Sequence, residues 1–119
     1  MILNKITIAP VETGKMVQFY DAVFEAKLKP FQAMGTTLYN GQIAGIDLLF
    51  CPNEILGIKA EKNRQQLSFI VEDLETLIRK VKENGGDLLG DVQEGVNGKA
   101  CGITDPDGNS IELMEGKSL

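Results

Sequence analysis

The order of structural elements prescribed by the sequence runs through the chain twice, and this duplication narrows the possible folds more than any single motif. In residues 1–50, Ile6 and Ile8 alternate with Lys5 and Thr7, the period-two pattern of a strand, and Pro10 closes it. Met16, Phe19, Tyr20, Val23 and Phe24 then recur at helical spacing, giving an amphipathic helix of about three turns with Thr13 as its N-cap. Residues 28–34 carry Pro30, which has no N–H for a ladder, so they form an edge strand broken at Gly35. Two further strands, 37–39 and 43–50, flank Asn40-Gly41, a pair suited to the positive φ angles of a type I′ hairpin.

Residues 51–64 show no period and contain Pro52, Asn53 and Gly57, so they read as a connecting loop. The same order then returns in residues 65–115. Leu67, Phe69 and Val71 alternate with Gln66, Ser68 and Ile70. Asp73 caps a helix that turns Leu74, Leu77, Ile78 and Val81 inward, and Gly85-Gly86 ends it. Strands 88–92, 99–104 and 110–114 follow, the last two joined by Asp105-Pro106-Asp107-Gly108-Asn109. One local match supports the repeat: Ile46-Asp47-Leu48-Leu49 corresponds to Ile111-Glu112-Leu113-Met114. The expectation is an α+β fold of two tandem βαβββ modules, 1–50 and 65–115, within one domain spanning 1–119.

One helix covers only one side of a four-stranded sheet, so each module leaves a second face for chemistry. Ile6, Ile8, Leu67 and Phe69 are assigned to the helix side. Strand parity puts Lys5, Thr7, Asp47, Leu49, Gln66, Ser68, Ile70, Glu112 and Met114 on the other, a mixed surface unlike an aliphatic core. Met34, near a strand end, is a candidate for the same lining. The turn at 105–109 mimics the start of a calcium loop, but Pro106 and the immediate return to strand make it a hairpin, with neither Glu112 nor Glu115 at the bidentate offset.

Composition removes several functions. A net charge of −5 disfavours a nucleic-acid surface, which requires clustered Lys and Arg. The absence of histidine excludes His-based zinc and iron sites and a serine-His triad. No run of about 18 apolar residues and no signal-like start is present, so a cytoplasmic protein without a membrane span is expected. Cys51 and Cys101 lack metal-ligand spacing and read as reduced packing residues. No glycine pattern sits in a dinucleotide-binding context.

The duplicated order, the Phe19-Tyr20 pair late in the first helix and the Thr104-Asp105-Pro106-Asp107-Gly108-Asn109-Ser110-Ile111-Glu112-Leu113 ending resemble the vicinal oxygen chelate superfamily. That superfamily contains glyoxalase I, bleomycin-resistance proteins and extradiol dioxygenases. The resemblance implies curved mixed sheets with helices on their outer faces, a homodimer, and a cleft site between modules. It also implies that Glu112 occupies a carboxylate metal-ligand position, with Asp47 as its counterpart, Gln66 where histidine is common, and Lys5, or Asn4 if the register slips, at the remaining position.

A protonated lysine has no lone pair for a metal and repels one, so the expectation is no resident cofactor, with a divalent metal on Asp47, Gln66 and Glu112 as the alternative. Lys5 instead pairs with Asp47 or Glu112 in that expectation. Two functions follow from the resemblance. One is sequestration of a small ligand, cationic if Asp47 and Glu112 stay unpaired. The other is a glyoxalase-like lyase, isomerase or epimerase with Glu112 or Asp47 as base.

Overall fold

The computed structural model of the chain describes residues 1–52, 55, 57, 62–96 and 98–116. Two compact units divide it, Met1–Glu61 and Lys62–Leu119. Part of the 51–64 connection expected as a loop lies outside the described residues.

The first unit contains β1 (Lys5–Ile8), α1 (Thr13–Phe24), β2 (Lys29–Ala33), β3 (Thr36–Ile43) and β4 (Ile46–Phe50), with sheet order β1-β4-β3-β2. β1 runs parallel to β4, and the other pairs are antiparallel. One face of α1 is apolar, and Met16, Phe19, Tyr20 and Val23 are buried along it. The Tyr20 ring meets Phe50 of β4 edge-on, with centroids 5.4 Å apart. Leu48 and Phe50 therefore face the helix, and Asp47 and Leu49 face away. The helix begins without the side-chain cap expected of Thr13. Glu12 holds the N-cap position and makes no cap bond, while Thr13 is already the first helical residue.

The hairpin expected at Asn40-Gly41 does not form there. β3 runs straight through both residues, and the two-residue turn lies at Ala44 (φ 51°) and Gly45 (φ 80°), between the paired Ile43 and Ile46. Gly41 serves close approach instead of a turn. The backbone after α1 presses onto β3 there, and a Cβ on Gly41 would run into the Ala26 carbonyl oxygen. That oxygen accepts the Gln42 N–H at 2.9 Å. Met34 (φ 51°) and Gly35 (φ 74°) form the preceding turn, so Met34 is 69% exposed at a loop tip and lines no strand face.

The second unit repeats the arrangement with β5 (Leu67–Val71), α2 (Leu74–Glu83), β6 (Asp87–Gly95), β7 (Gly98–Thr104) and β8 (Ser110–Glu115), in the order β5-β8-β7-β6. β5 pairs parallel to β8, as β1 does with β4. Asp73 caps α2 as expected, accepting the Thr76 N–H at 3.1 Å and its hydroxyl at 2.8 Å. These bonds hold the Asp73 carboxyl below its ordinary value of 3.8. Leu74 and Val81 are buried under the helix, with Leu77 and Ile78 half-buried beside them.

The 105–109 turn is built around Asp105, which is 2% exposed. Its carboxylate accepts the backbone N–H groups of Asp107 (3.0 Å) and Asn109 (2.9 Å) and the Asn109 amide nitrogen (2.9 Å). Asn109 Oδ1 in turn accepts the Asn63 N–H at 2.6 Å, tying the turn to the chain entering β5. The turn is structural. Its carboxylate is consumed by backbone donors, and Gly108 takes the positive φ of 86°. Cys51 and Cys101 are both buried and neither is in a disulfide, and burial pushes the Cys101 thiol up.

Candidate functional site

The ladder registers arrange the face of each sheet opposite its helix into rows. In the first unit, Asp47 on the inner strand β4 stands between Gln42 of β3 and Lys5 of β1. The next row holds Lys29, Asn40, Leu49 and Thr7. Parity therefore brings the expected Lys5, Thr7, Asp47 and Leu49 to one face, and extending β3 through 40–42 adds Asn40 and Gln42. Sequence reading missed these two because Asn-Gly reads as a turn, although an unbroken strand at this parity would have placed both beside Asp47.

A pocket of about 360 Å³ opens on this face, lined by Asn4, Lys5, Asn40, Asp47 and Leu49 among others. Gln42 Nε2 donates to Asp47 Oδ1 at 3.2 Å. Within the first unit Lys5 does not form the expected ion pair with Asp47. Among the described residues the ion pairs are those of Lys99, with Glu75 at 3.5 Å and Glu94 at 4.0 Å. The physical reason is exposure: Lys5 and Asp47 are both solvated, so no burial penalty requires them to meet.

In the second unit, Glu112 on the inner strand β8 stands between Ser68 of β5 and Gly102 of β7. Ser68 donates its hydroxyl to Glu112 Oε1 at 2.7 Å. Gln66 precedes β5 and donates to the Ser110 hydroxyl at 2.6 Å. The next row along the face holds Ala100, Met114 and Ile70. Ile70 is 58% exposed and Met114 39%, so Glu112 is a half-buried carboxylate beside uncovered apolar side chains. The expected Gln66, Ser68, Ile70, Glu112 and Met114 thus share the second sheet's open face.

The donors do not fit a resident divalent metal within either unit. Asp47 has an amide and an ammonium as its cross-strand neighbours, and Glu112 has a hydroxyl and a glycine. Among the described residues no three His, Cys, Asp or Glu side chains gather into a group. A hard cation needs several converging oxygens, and an ammonium at the rim opposes it.

A family model described as a glyoxalase-like domain matches residues 5–114. No curated protein matches the sequence. Solved structures share the fold. A glyoxalase/bleomycin resistance protein/dioxygenase family enzyme from Burkholderia phytofirmans superposes with a TM-score of 0.76 at 14% identity, covering 98% of this chain and 100% of its own. A glyoxalase-related enzyme from Fulvimarina pelagi gives 0.75 at 19% identity, covering 97% and 88%. The fosfomycin resistance protein FosX from Listeria monocytogenes, solved with Mn(II) and sulfate, gives 0.74 at 19% identity, covering 98% and 93%.

Proposed function

The chain belongs to the glyoxalase-like domain family of the vicinal oxygen chelate superfamily, and from that premise we propose that it is a small-molecule binding protein that holds its ligand on the open sheet faces without a resident metal. The observation that carries this reading is the pocket of about 360 Å³ beside Lys5 and Asp47, a size that suits a small ligand. Leu49 supplies apolar surface there, and Asn4, Asn40, Lys5 and Asp47 supply donors and acceptors of both signs. In the second unit Glu112, oriented by Ser68 and bordered by Met114 and Ile70, suits an organic cation with an apolar body. The expectation of a homodimer is carried forward with this reading, and light scattering reads it directly.

The test is a calorimetric ligand screen with the wild-type chain, Lys5→Met, Asp47→Asn and Glu112→Gln, run alongside elemental analysis and titration of manganese, nickel and zinc. Ligands that bind the metal-free chain and weaken by about ten-fold, roughly 1.4 kcal/mol, in one of these variants support the reading. Stoichiometric metal lost in Glu112→Gln, with binding only in the loaded protein, overturns it.

A second reading is a lyase, isomerase or epimerase in which Glu112 moves a proton next to a carbonyl. The Ser68 hydroxyl favours it, because a bond to Oε1 fixes the carboxylate's orientation and leaves Oε2 to accept the proton. Turnover of a carbonyl substrate by the metal-free chain, abolished in Glu112→Gln, separates catalysis from sequestration.

A further inference from the structure

The connection from α1 to β2 builds a groove that adjoins the Lys5 pocket and has its own chemistry. Glu25 ends α1 with φ 53°, and Lys27 follows with φ 52°, both in the left-handed region that favours glycine. Between and after them Ala26 and Leu28 are buried. The Ala26 N–H donates to the Tyr20 carbonyl at 3.2 Å, the Leu28 N–H to Asp21 Oδ1 at 2.8 Å, and the Gln42 N–H to the Ala26 carbonyl at 2.9 Å. Two of these bonds tie the segment to α1 and one to β3, so it is held between them, and burial of Ala26 and Leu28 leaves Glu25 and Lys27 exposed.

The outward side chains line a groove of about 490 Å³ together with Lys29, Asn40, Gln42 and Asp47. Two ammonium groups and two carboxylates share this space. None of the four belongs to an ion pair among the described residues, and Asp47 accepts only a neutral amide there. Lysine at a left-handed position is a local inconsistency, since glycine would adopt that conformation without steric cost.

We propose that this groove binds a zwitterion of the dipeptide class, with Lys27 and Lys29 taking the carboxylate, Asp47 taking the ammonium, and the Asn40 and Gln42 amides facing the peptide group. The two signs of charge are complementary to a molecule carrying both, and a ligand with one charge engages only half of the groove. Gly41, with no side chain on its Ala26 side, lets the α1–β2 connection close onto β3 and sets Lys27 beside that strand. This deepens the open-face binding reading and rests on it.

The test uses the full chain, isotopically labelled and titrated with alanylalanine, its N-acetyl form and its C-terminal amide. Alanylalanine is expected to give saturable shifts at the Gly41 and Gln42 amides. Each singly charged form is expected to bind about ten-fold more weakly or less, and Lys27→Gly and Asp47→Asn to weaken alanylalanine by a similar factor. Lys27→Gly relieves the backbone, so it is expected to unfold at the same or higher denaturant concentration, and its loss of binding reads the ammonium alone. Equal binding of the capped forms, wild-type affinity in Lys27→Gly, or no saturable shift at millimolar dipeptide overturns the proposal. Any of these results, together with other ligands that bind and respond to Lys5→Met but not to Lys27→Gly, sinks it while leaving the open-face function standing. A chain that binds no small molecule sinks both.

Discussion

Gly41→Ala tests how the first unit is held together. The added methyl meets the Ala26 carbonyl oxygen and comes within 3.1 Å of Leu28 Cδ2, so β3 and the α1–β2 connection must separate. The Gln42 N–H bond to that carbonyl, 2.9 Å long, is lost or stretched, at about 1 kcal/mol. Repacking around a small-to-large change adds about 1–3 kcal/mol, and the lower unfolded-state entropy of alanine returns about 0.5–1 kcal/mol. The net expectation is a loss of about 2 kcal/mol. With an unfolding entropy of about 2.1 cal/mol/K per residue, that lowers the midpoint by about 8 °C for a chain of this length. Urea and thermal melts followed by circular dichroism read it. Ala44→Gly is the paired control: it relieves a left-handed alanine at the true turn and is expected to raise stability by about 0.5–1 kcal/mol. A Gly41→Ala variant within about 0.5 kcal/mol of wild type would refute the reasoning, because the close approach at Ala26 would then carry no weight.

Other consequences follow from the second unit. Asp105→Ala strips three donors of their buried acceptor and is expected to cost about 3 kcal/mol in urea unfolding, whereas Asp107→Ala, on a partly exposed turn residue, costs under about 1 kcal/mol. The Asp73 cap holds its carboxyl below 3.8 when folded, so its charge-dependent contribution is complete above that value and disappears as pH falls through the lower folded value. Asp73→Asn is therefore expected to be less stable than wild type at about pH 7, and the gap narrows at about pH 3. Burial keeps the Cys101 thiol protonated, so labelling by a thiol reagent at neutral pH is expected to be slow in the native chain and fast in urea, and prompt native labelling would contradict that burial.

Where the sequence was legible, each residue's role was set by its neighbours along the chain. Ile8, Tyr20, Phe19 and Val81 announce their faces through period, and the Asp73 cap and the 105–109 turn are local hydrogen-bond devices that need only a few adjacent residues. The failures were long-range. Asn40-Gly41 carries the composition of a hairpin, but Ala26, fifteen positions earlier, claims the glycine for a close backbone contact. The real turn then falls on Ala44-Gly45, where an alanine accepts positive φ because the ladder on both sides fixes it. Lys27 was invisible for the same reason: a loop lysine reads as solvated surface until its backbone conformation is seen.

The two halves also show where duplication holds and where it lets go. Each module keeps a parallel first and last strand, and each buries the aliphatic or aromatic residues of that last strand: Leu48 and Phe50 in one, Ile111 and Leu113 in the other. Those positions face a helix, and close packing tolerates few changes of volume. The opposite face has no such restraint. Between them on the last strand, Asp47 has Lys5 and Gln42 as cross-strand neighbours, whereas Glu112 has Ser68 and Gly102. One module thus presents a carboxylate beside an ammonium and an amide, and the other a carboxylate beside a hydroxyl and a gap. Core residues alone would make the modules equivalent, so under the proposed binding function the difference between the two faces rests on these cross-strand neighbours, and substitutions there are expected to alter ligand affinity, read by calorimetry, before they alter the urea midpoint.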